Sequence, residues 1–420
     1  MSLRRLLPRS LSGRLRRSLS TAVAVPGRSL PTADLSARLR RSLSTSSAAA
    51  THPPWAIIHD TSEVDRSSSA PGARFRPVDP PGISHIFAPA HLIDPTERPT
   101  AGSSDVLRYL GGNLVQLLFG SVGAASDDGH LLLSYHDLRA EGPCTPGTWP
   151  GAPKRAFALH HMGLLTQADG GLGCGPPDRF AVAEFVHNGA AVVRFLSEEG
   201  KWKVVRPIHG NPSLLRPMGM NQETVAFGGR LWWVDLTLGA VSVDPFADRP
   251  EIRFVELPSG SVLPAPAPVD ETDPSKVGER TQLILDVANR RRIGVCEGRL
   301  RYAEVSPREP FLLSSYALDD EEGSGWKLEQ QVALRQVLAD GGYPWQENSG
   351  QAGPQIAVLD PLNASAIYLK VGEGVLVVDI HNGKVIGAAT PLEDEYFSLV
   401  PCVLPPWLGS SRIPTAGSSK

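Results

Sequence analysis

The sequence predicts an all-β protein, and three observations predict it. Residues 228–258 read as three short strand runs separated by two turns. Much of the remaining chain repeats that texture, with short apolar runs punctuated by glycine, proline and Asn-Gly or Asp-Gly pairs. Glycine (41) and proline (38) together make nearly a fifth of the 420 residues, while a hydrophobic share of 41% still suffices for a core.

Within residues 228–258, Leu231, Trp233 and Asp235 point one way and Trp232 and Val234 the other, so this strand is expected to be buried on both faces. Thr237-Leu238-Gly239 turns the chain, residues 240–243 form a second strand, Asp244-Pro245 reverses it again, and residues 252–257 run to Pro258. The result is an antiparallel meander.

The other elements follow in chain order. Pro53-Pro54 leads into a first strand at 55–58, anchored by Trp55. Residues 62–104, rich in Ser, Pro, Gly and Ala, read as loops with two short strands, Phe75, Ile86 and Phe87 being their few apolar anchors. A hairpin joins 114–119 to 131–135 through Asp128-Gly129. Residues 140–178, heavy in Pro and Gly, read as a long surface loop. Strands at 180–185 and 190–195 flank Asn188-Gly189, and a Glu-Glu-Gly turn leads to 201–205. After a second Pro-rich insertion at 258–279 come strands at 283–287, 294–296, 299–305 and 311–318, then one face kept by Trp326, Leu328, Val332 and Leu334, then a short helix at 335–340. Runs at 356–359, 366–371, 374–380 and 384–389, the last two joined by Asn382-Gly383, make one complete propeller-blade pattern.

Two details recur. Gly-Lys-Trp at 200–202 and Gly-Ser-Gly-Trp at 323–326 each start a strand with tryptophan, and Gly-Arg-Leu occurs at 229–231 and 298–300. Residues 55–405 accommodate roughly six or seven blades of a β-propeller-like fold, with a pair of packed sheets as the other all-β form. One closed domain over 51–408 also explains how some 370 residues exceed the usual single-core limit of about 250–300 without an evident interdomain linker. Residues 409–420 read as a disordered tail.

The first fifty residues hold ten arginines, no lysine and one acid, Asp34. They carry +9 of a chain whose net charge is −3, which leaves −12 on the remainder. Leu3, Leu7, Leu11, Leu15 and Leu19 recur every four residues with arginines between them, one greasy and one cationic face if the segment turns helical, although Pro8 weakens it. An Arg- and Ser-rich, acid-poor, amphipathic start is the composition of a transit peptide. The mitochondrion is the first expectation and the chloroplast the second, against a merely disordered basic arm. Arg-Leu-Arg-Arg-Ser-Leu-Ser-Thr occurs at 14–21 and again at 38–45, a local duplication of this leader, with cleavage expected between Arg41 and Thr51. No apolar run reaches the roughly 18 residues of a membrane span. Cysteines at 144, 174, 296 and 402 form no CxxC pair, which argues for reduced, buried thiols rather than a zinc ribbon or a disulfide framework.

Pro53-Pro54-Trp55-Ala56-Ile57-Ile58, Gly-Gly-Arg-Leu-Trp-Trp-Val-Asp at 228–235, Asp244-Pro245-Phe246-Ala247-Asp248, the run 296–305, Trp326-Lys327-Leu328 and Val377-Val378-Asp379-Ile380 together resemble a large plant family, expanded in grasses, known only as a domain of unknown function. The resemblance implies a β-propeller-like fold, sometimes likened to the propellers of F-box proteins, and no established activity. It supplies no catalytic residues. No F-box module precedes Trp55, which argues against a ubiquitin-ligase adaptor.

Candidate chemistry is sparse. His160-His161 form no HxH or HExxH motif, and His130 and His136, on one face of a strand by their even offset, lack a third ligand. The glycine cluster 170–175 lacks the spacing and the flanking strand and helix of a phosphate-binding loop. Trp232-Trp233 can present at most one ring to a ligand, and core packing is the simpler role. Acidic runs at 319–322 and 393–395 read as solvated turns, and Arg290-Arg291-Arg292, without interleaved aromatics on a body of −12, gives no case for nucleic acid. The expectation is a monomeric, non-catalytic platform for an unidentified protein partner, without cofactor or metal, whose insertions 140–178 and 258–279 form the variable surface. The alternative is a metal-dependent lactonase- or esterase-like hydrolase with Asp235, Glu304 and Asp379 converging in the propeller channel.

Overall fold

This computed structural model describes residues 22–23, 52–93, 107–109, 114–126, 128–141, 162–167, 177–186, 191–209, 218–265, 274–319, 325–343, 353–372, 374–389 and 398–404. The protein is all-β. Strands β1 (Ala22–Val23), β2 (Trp55–His59), β3 (Thr61–Asp65), β4 (Arg74–Arg76), β5 (Ile83–Pro89), β6 (Leu107–Tyr109), β7 (Leu114–Ala125) and β8 (Leu131–Glu141) share the first sheet, with a short helix α1 (Ala90–Ile93) after β5. The second sheet is the meander β9 (Met162–Gln167), β10 (Arg179–Val186), β11 (Ala191–Leu196) and β12 (Lys201–Val205). In the third, β13 (Ile208–His209) lies parallel to β17, the outer strand of the run β14 (Val225–Phe227), β15 (Arg230–Asp235), β16 (Gly239–Val243) and β17 (Glu251–Glu256). Helix α2 (Pro274–Arg290) then leads to β18 (Arg291–Cys296), β19 (Arg299–Val305), β20 (Leu312–Leu318) and β21 (Trp326–Ala333), followed by helix α3 (Leu334–Asp340). The fifth sheet is β22 (Gln355–Leu359), β23 (Ala366–Val371), β24 (Gly374–Asp379) and β25 (Lys384–Ala389). Finally β26 (Leu399–Val403) returns to the first sheet and pairs antiparallel with β2, Trp55 opposite Val403.

Neighbouring sheets meet strand to strand, and the last contact, β26 with β7, lies within the first sheet. β7 lies against β9, β9 against β14, β14 against β18, β18 against β22, β22 against β26, and β26 against β7. The core is accordingly a series of clusters, one between each pair of neighbouring sheets. β15 illustrates the period-two expectation: Leu231 and Trp233 pack with Ala183 and Phe185 of the second sheet, while Trp232 and Val234 pack with Leu300 and Tyr302 of the fourth. A strand sandwiched between two sheets must be apolar on both sides, which is what the sequence there displays. Gly163 in β9 permits this closeness, since a Cβ there would lie 2.5 Å from Thr224 Cγ2 and 2.9 Å from a Leu231 methyl.

The recurring motifs mark equivalent places in successive sheets. Gly228-Gly229 (φ 60° and 71°) and Glu297-Gly298 (φ 51° and 72°) are two-residue turns with positive φ at both positions, and Gly-Arg-Leu begins the strand after each. Trp202 and Trp326 both open the outer strands of their sheets, opposite Phe195 and Leu318.

Several elements differ from the sequence reading. Residues 283–287 are not a strand but part of α2. The Leu283-Ile284-Leu285 run resembles a buried strand, yet Leu283 is 57% exposed, and the half-buried face is Ile284, Val287 and Ala288 at helical spacing, behind a proline at the first helical position. Residues 62–93 hold more order than two strands: β3 and β4 are pinned by register to β5 and β5 to β2, and α1 follows β5. The span 140–178 contains the end of β8 and the whole of β9, whose apolar pair Leu164-Leu165 is buried between sheets. β7 and β8 are also longer than the expected hairpin. By contrast β12, the final meander and α3 lie within a residue of the expected bounds. The leucine pattern at 3–19, the turn 187–189 and the tail 409–420 lie outside the described residues. No helix among the described residues is long and apolar enough to cross a membrane.

Candidate functional site

The densest polar construction is buried, where the segment before β14 crosses between sheets. Met218 and Met220 sink into the cluster shared with the second sheet, which draws Gly219 and the polar residues that follow inward. Gly219, Asn221 and Gln222 each find a named partner. Gly219 N–H donates to Asp235 Oδ2 (2.8 Å), and Asn221 Oδ1 accepts from Leu236 N–H (2.9 Å). The Gln222 side chain mimics a strand: its Nε2 donates to Ile293 C=O (2.6 Å) and its Oε1 accepts from Ile293 N–H (2.8 Å).

Next to it, Arg292 of β18 donates to Glu223 Oε1 and also to the Leu399 carbonyl of β26. Both charged side chains are almost wholly buried, 9% and 7% exposed. A buried pair of this kind is a tie whose halves depend on each other, because either charge alone would lie unsolvated. It joins the third and fourth sheets to the strand that closes the chain. Glu223 Oε2 has no hydrogen-bond partner among the described residues.

The residues singled out from sequence are spent locally. Asp235 Oδ1 accepts from Thr237 N–H and Oγ–H (2.9 and 2.6 Å), Asp379 binds Asn382 at the β24–β25 turn (2.7 and 3.0 Å), and Glu304 takes Ser261 (2.9 Å), Tyr302 (2.7 Å) and Arg291 (3.5 Å). These three carboxylates do not converge, and no three His, Cys, Asp or Glu side chains among the described residues could hold a metal. His130 is fully buried with Nδ1 2.8 Å from Asp128. Trp232 and Trp233 are both core. Arg291 and Arg292 of the arginine triplet face Glu304 and Glu223. His160-His161, the side chain of His136, the glycine cluster 170–175 and the acidic residues 320–322 and 393–395 lie outside the described residues.

Sequence reasoning missed Gln222, Glu223 and Asp360. The first two carry one signal, a polar pair wedged between buried methionines and an apolar strand. Asp360 caps its turn by accepting from Leu362 and Asn363 N–H (2.8 and 3.0 Å). Burial pushes its carboxyl up to about 6 from the ordinary 3.8. As pH rises from about 4 to about 6 the unfolded chain releases this proton first, so the folded state loses stability and stays penalised above. Asp360→Asn keeps the acceptor and removes the charge. Urea unfolding should show it up to about 3 kcal/mol more stable at neutral pH, with the gain gone by about pH 4.

The two described cysteines, Cys296 and Cys402, are free and buried, and burial pushes each thiol up to about 12. Both are expected to resist alkylation in the folded protein and to react on unfolding, which peptide mass mapping after iodoacetamide would read.

The stretch from Trp233 in β15 to Tyr368 in β23 holds the later part of the third sheet, the whole fourth sheet, the Glu297-Gly298 turn with its paired positive φ, and the Arg292–Ile293 half of the buried tie. Residues 233–368 match a protein family of unknown function, DUF1618. The DUF1618 match thus takes in Asp235, Glu304 and Asp360, while Glu223 lies ten residues before it. No curated protein matches the chain. Among solved structures, a fungal lectin from Aleuria aurantia, described as a six-bladed β-propeller with a novel fucose recognition mode, is 13% identical over 68% of this chain and 76% of its own, with a TM-score of 0.26. A putative 6-phosphogluconolactonase from Bacteroides uniformis is 11% identical over 81% and 84% (TM-score 0.29), and YCF48 bound to a D1 peptide is 12% identical over 80% and 85% (TM-score 0.27).

Proposed function

We propose that this chain is a non-catalytic protein-binding platform, a six-bladed β-propeller delivered to the mitochondrion by its basic leader. The observation that carries the platform reading is the fate of the carboxylates. Asp235, Glu304 and Asp379 each serve a turn or an ion pair within their own neighbourhood, so the rigid frame uses its acids for stability and leaves its surface for recognition. The blade count rests on the cyclic series β7, β9, β14, β18, β22 and β26, each strand against the next, with the nine-stranded first sheet counted as two blades that meet where β26 lies against β7. The leader supports import through its +9 charge and leucine periodicity.

Proximity labelling with the full chain tests compartment and neighbours together. A reproducible set of matrix proteins is expected. Turnover of lactones or esters by the purified protein, together with stabilisation by a divalent metal, would contradict the reading.

A further inference from the structure

Four of the exposed large apolar side chains, Val186, Trp202, Val204 and Ile208, lie on the second sheet and the strand leaving it. Three of them share one face. Trp202 stands opposite Phe195 with ring centroids 5.6 Å apart, Val204 opposite Val193, and Val186 opposite Ala191. Val204 is 70% exposed and Trp202 38%. Part of this face is covered by Ala124 and Leu132 of the first sheet, and among the described residues that cover does not extend to β12. β12 is also the sheet's outer strand, and among the described residues nothing pairs with its far edge. The neighbouring sheet shows what such an edge accepts: there β13 adds a parallel strand to β17, Ile208 beside Glu251.

From Lys201 to Val204 the side chains of β12 alternate, before Val205 packs inward on the lysine face. Trp202 and Val204 stand on one face, Lys201 and Lys203 on the other, with Lys203 Nζ 2.7 Å from Glu199 at the preceding turn. Unpaired backbone groups flanked by this pattern form a template for one kind of strand. We infer that the free edge of β12 binds an extended segment of a partner protein in which bulky apolar and acidic residues alternate, the apolar ones packing on Trp202 and Val204 and the acidic ones meeting Lys201 and Lys203. A second copy of this chain fits poorly, because edge-to-edge pairing of two β12 strands would bring lysines toward lysines. This deepens the platform reading and rests on it.

The test uses the full chain and two fluorescein-labelled, C-terminally amidated peptides, one alternating valine and glutamate and one alternating valine and lysine, read by anisotropy at physiological salt. The Val-Glu peptide is expected to bind saturably and the Val-Lys peptide not. Trp202→Ala should weaken binding by about tenfold or more. Lys201→Glu with Lys203→Glu should reverse the preference, and this charge-swap arm stands even if Trp202→Ala perturbs the sheet. Binding that ignores all of these substitutions would be to the arginine-rich leader and would overturn the inference. So would the absence of saturable binding by either peptide, or a concentration-dependent dimer abolished by Trp202→Ala. Reproducible neighbours in the labelling experiment alongside failed peptide binding would sink this edge and leave the platform standing.

Discussion

Replacing Arg292 with alanine is expected to destabilise the protein by about 3–5 kcal/mol, the cost of leaving a carboxylate buried without its cation. Glu223 is nearly inaccessible to water, and its second oxygen already has no partner among the described residues, so no nearby donor stands ready to replace the guanidinium. The Leu399 carbonyl of β26 would lose its donor at the same time. Urea unfolding of the single variant against Arg292→Ala/Glu223→Gln separates the two contributions. The double variant should recover more than half of the loss, because an amide is far less costly than an unpaired charge in the same place. An Arg292→Ala protein as stable as the parent would mean that water reaches the pair and that it ties nothing together.

Trp233→Ala should cost a similar amount, about 3–5 kcal/mol, for a different reason. Among the described residues Trp233 is the largest fully buried side chain, and it fills the cluster between the second and third sheets, with the Phe185 ring 5.6 Å away. β15 is held on one side by β14 and on the other by β16, so the cavity left by the indole cannot easily collapse. The midpoint of urea unfolding should fall with little change in slope, as expected when the native state loses packing and the surface exposed on unfolding is much the same.

Much of the frame was legible because a strand between two sheets leaves a strong trace. The Leu231-to-Asp235 run could be oriented residue by residue, and Asn382-Gly383 located a hairpin, Gly383 taking the positive φ (60°) that few residues adopt readily. Helix α2 was misread because a three-residue apolar run carries no period of its own, and its burial is partial along its length. The parallel neighbours β3 and β5 were faint for another reason: pairing between segments joined by long connections leaves no turn signature. The buried tie was not legible at all. Gln222 and Glu223 look like solvated residues until the fold brings Arg292 and Ile293, some seventy positions away, against them. Asp235, Glu304 and Asp379 show the converse, since sitting at or near the ends of strands is compatible both with a shared channel site and with the local turns and ion pair they actually serve.

The most direct test of the account is whether the chain closes on itself through β2 and β26. Ala56 stands opposite Cys402 in that pairing, so Ala56→Cys, in a protein whose other cysteines are replaced by serine, should form a 56–402 disulfide on oxidative refolding. Peptide mapping under non-reducing conditions is predicted to find that bond in a protein that unfolds later than its reduced form. Two free thiols in a fully folded, oxidised protein would place the chain ends apart and contradict the closed ring on which the platform reading is built.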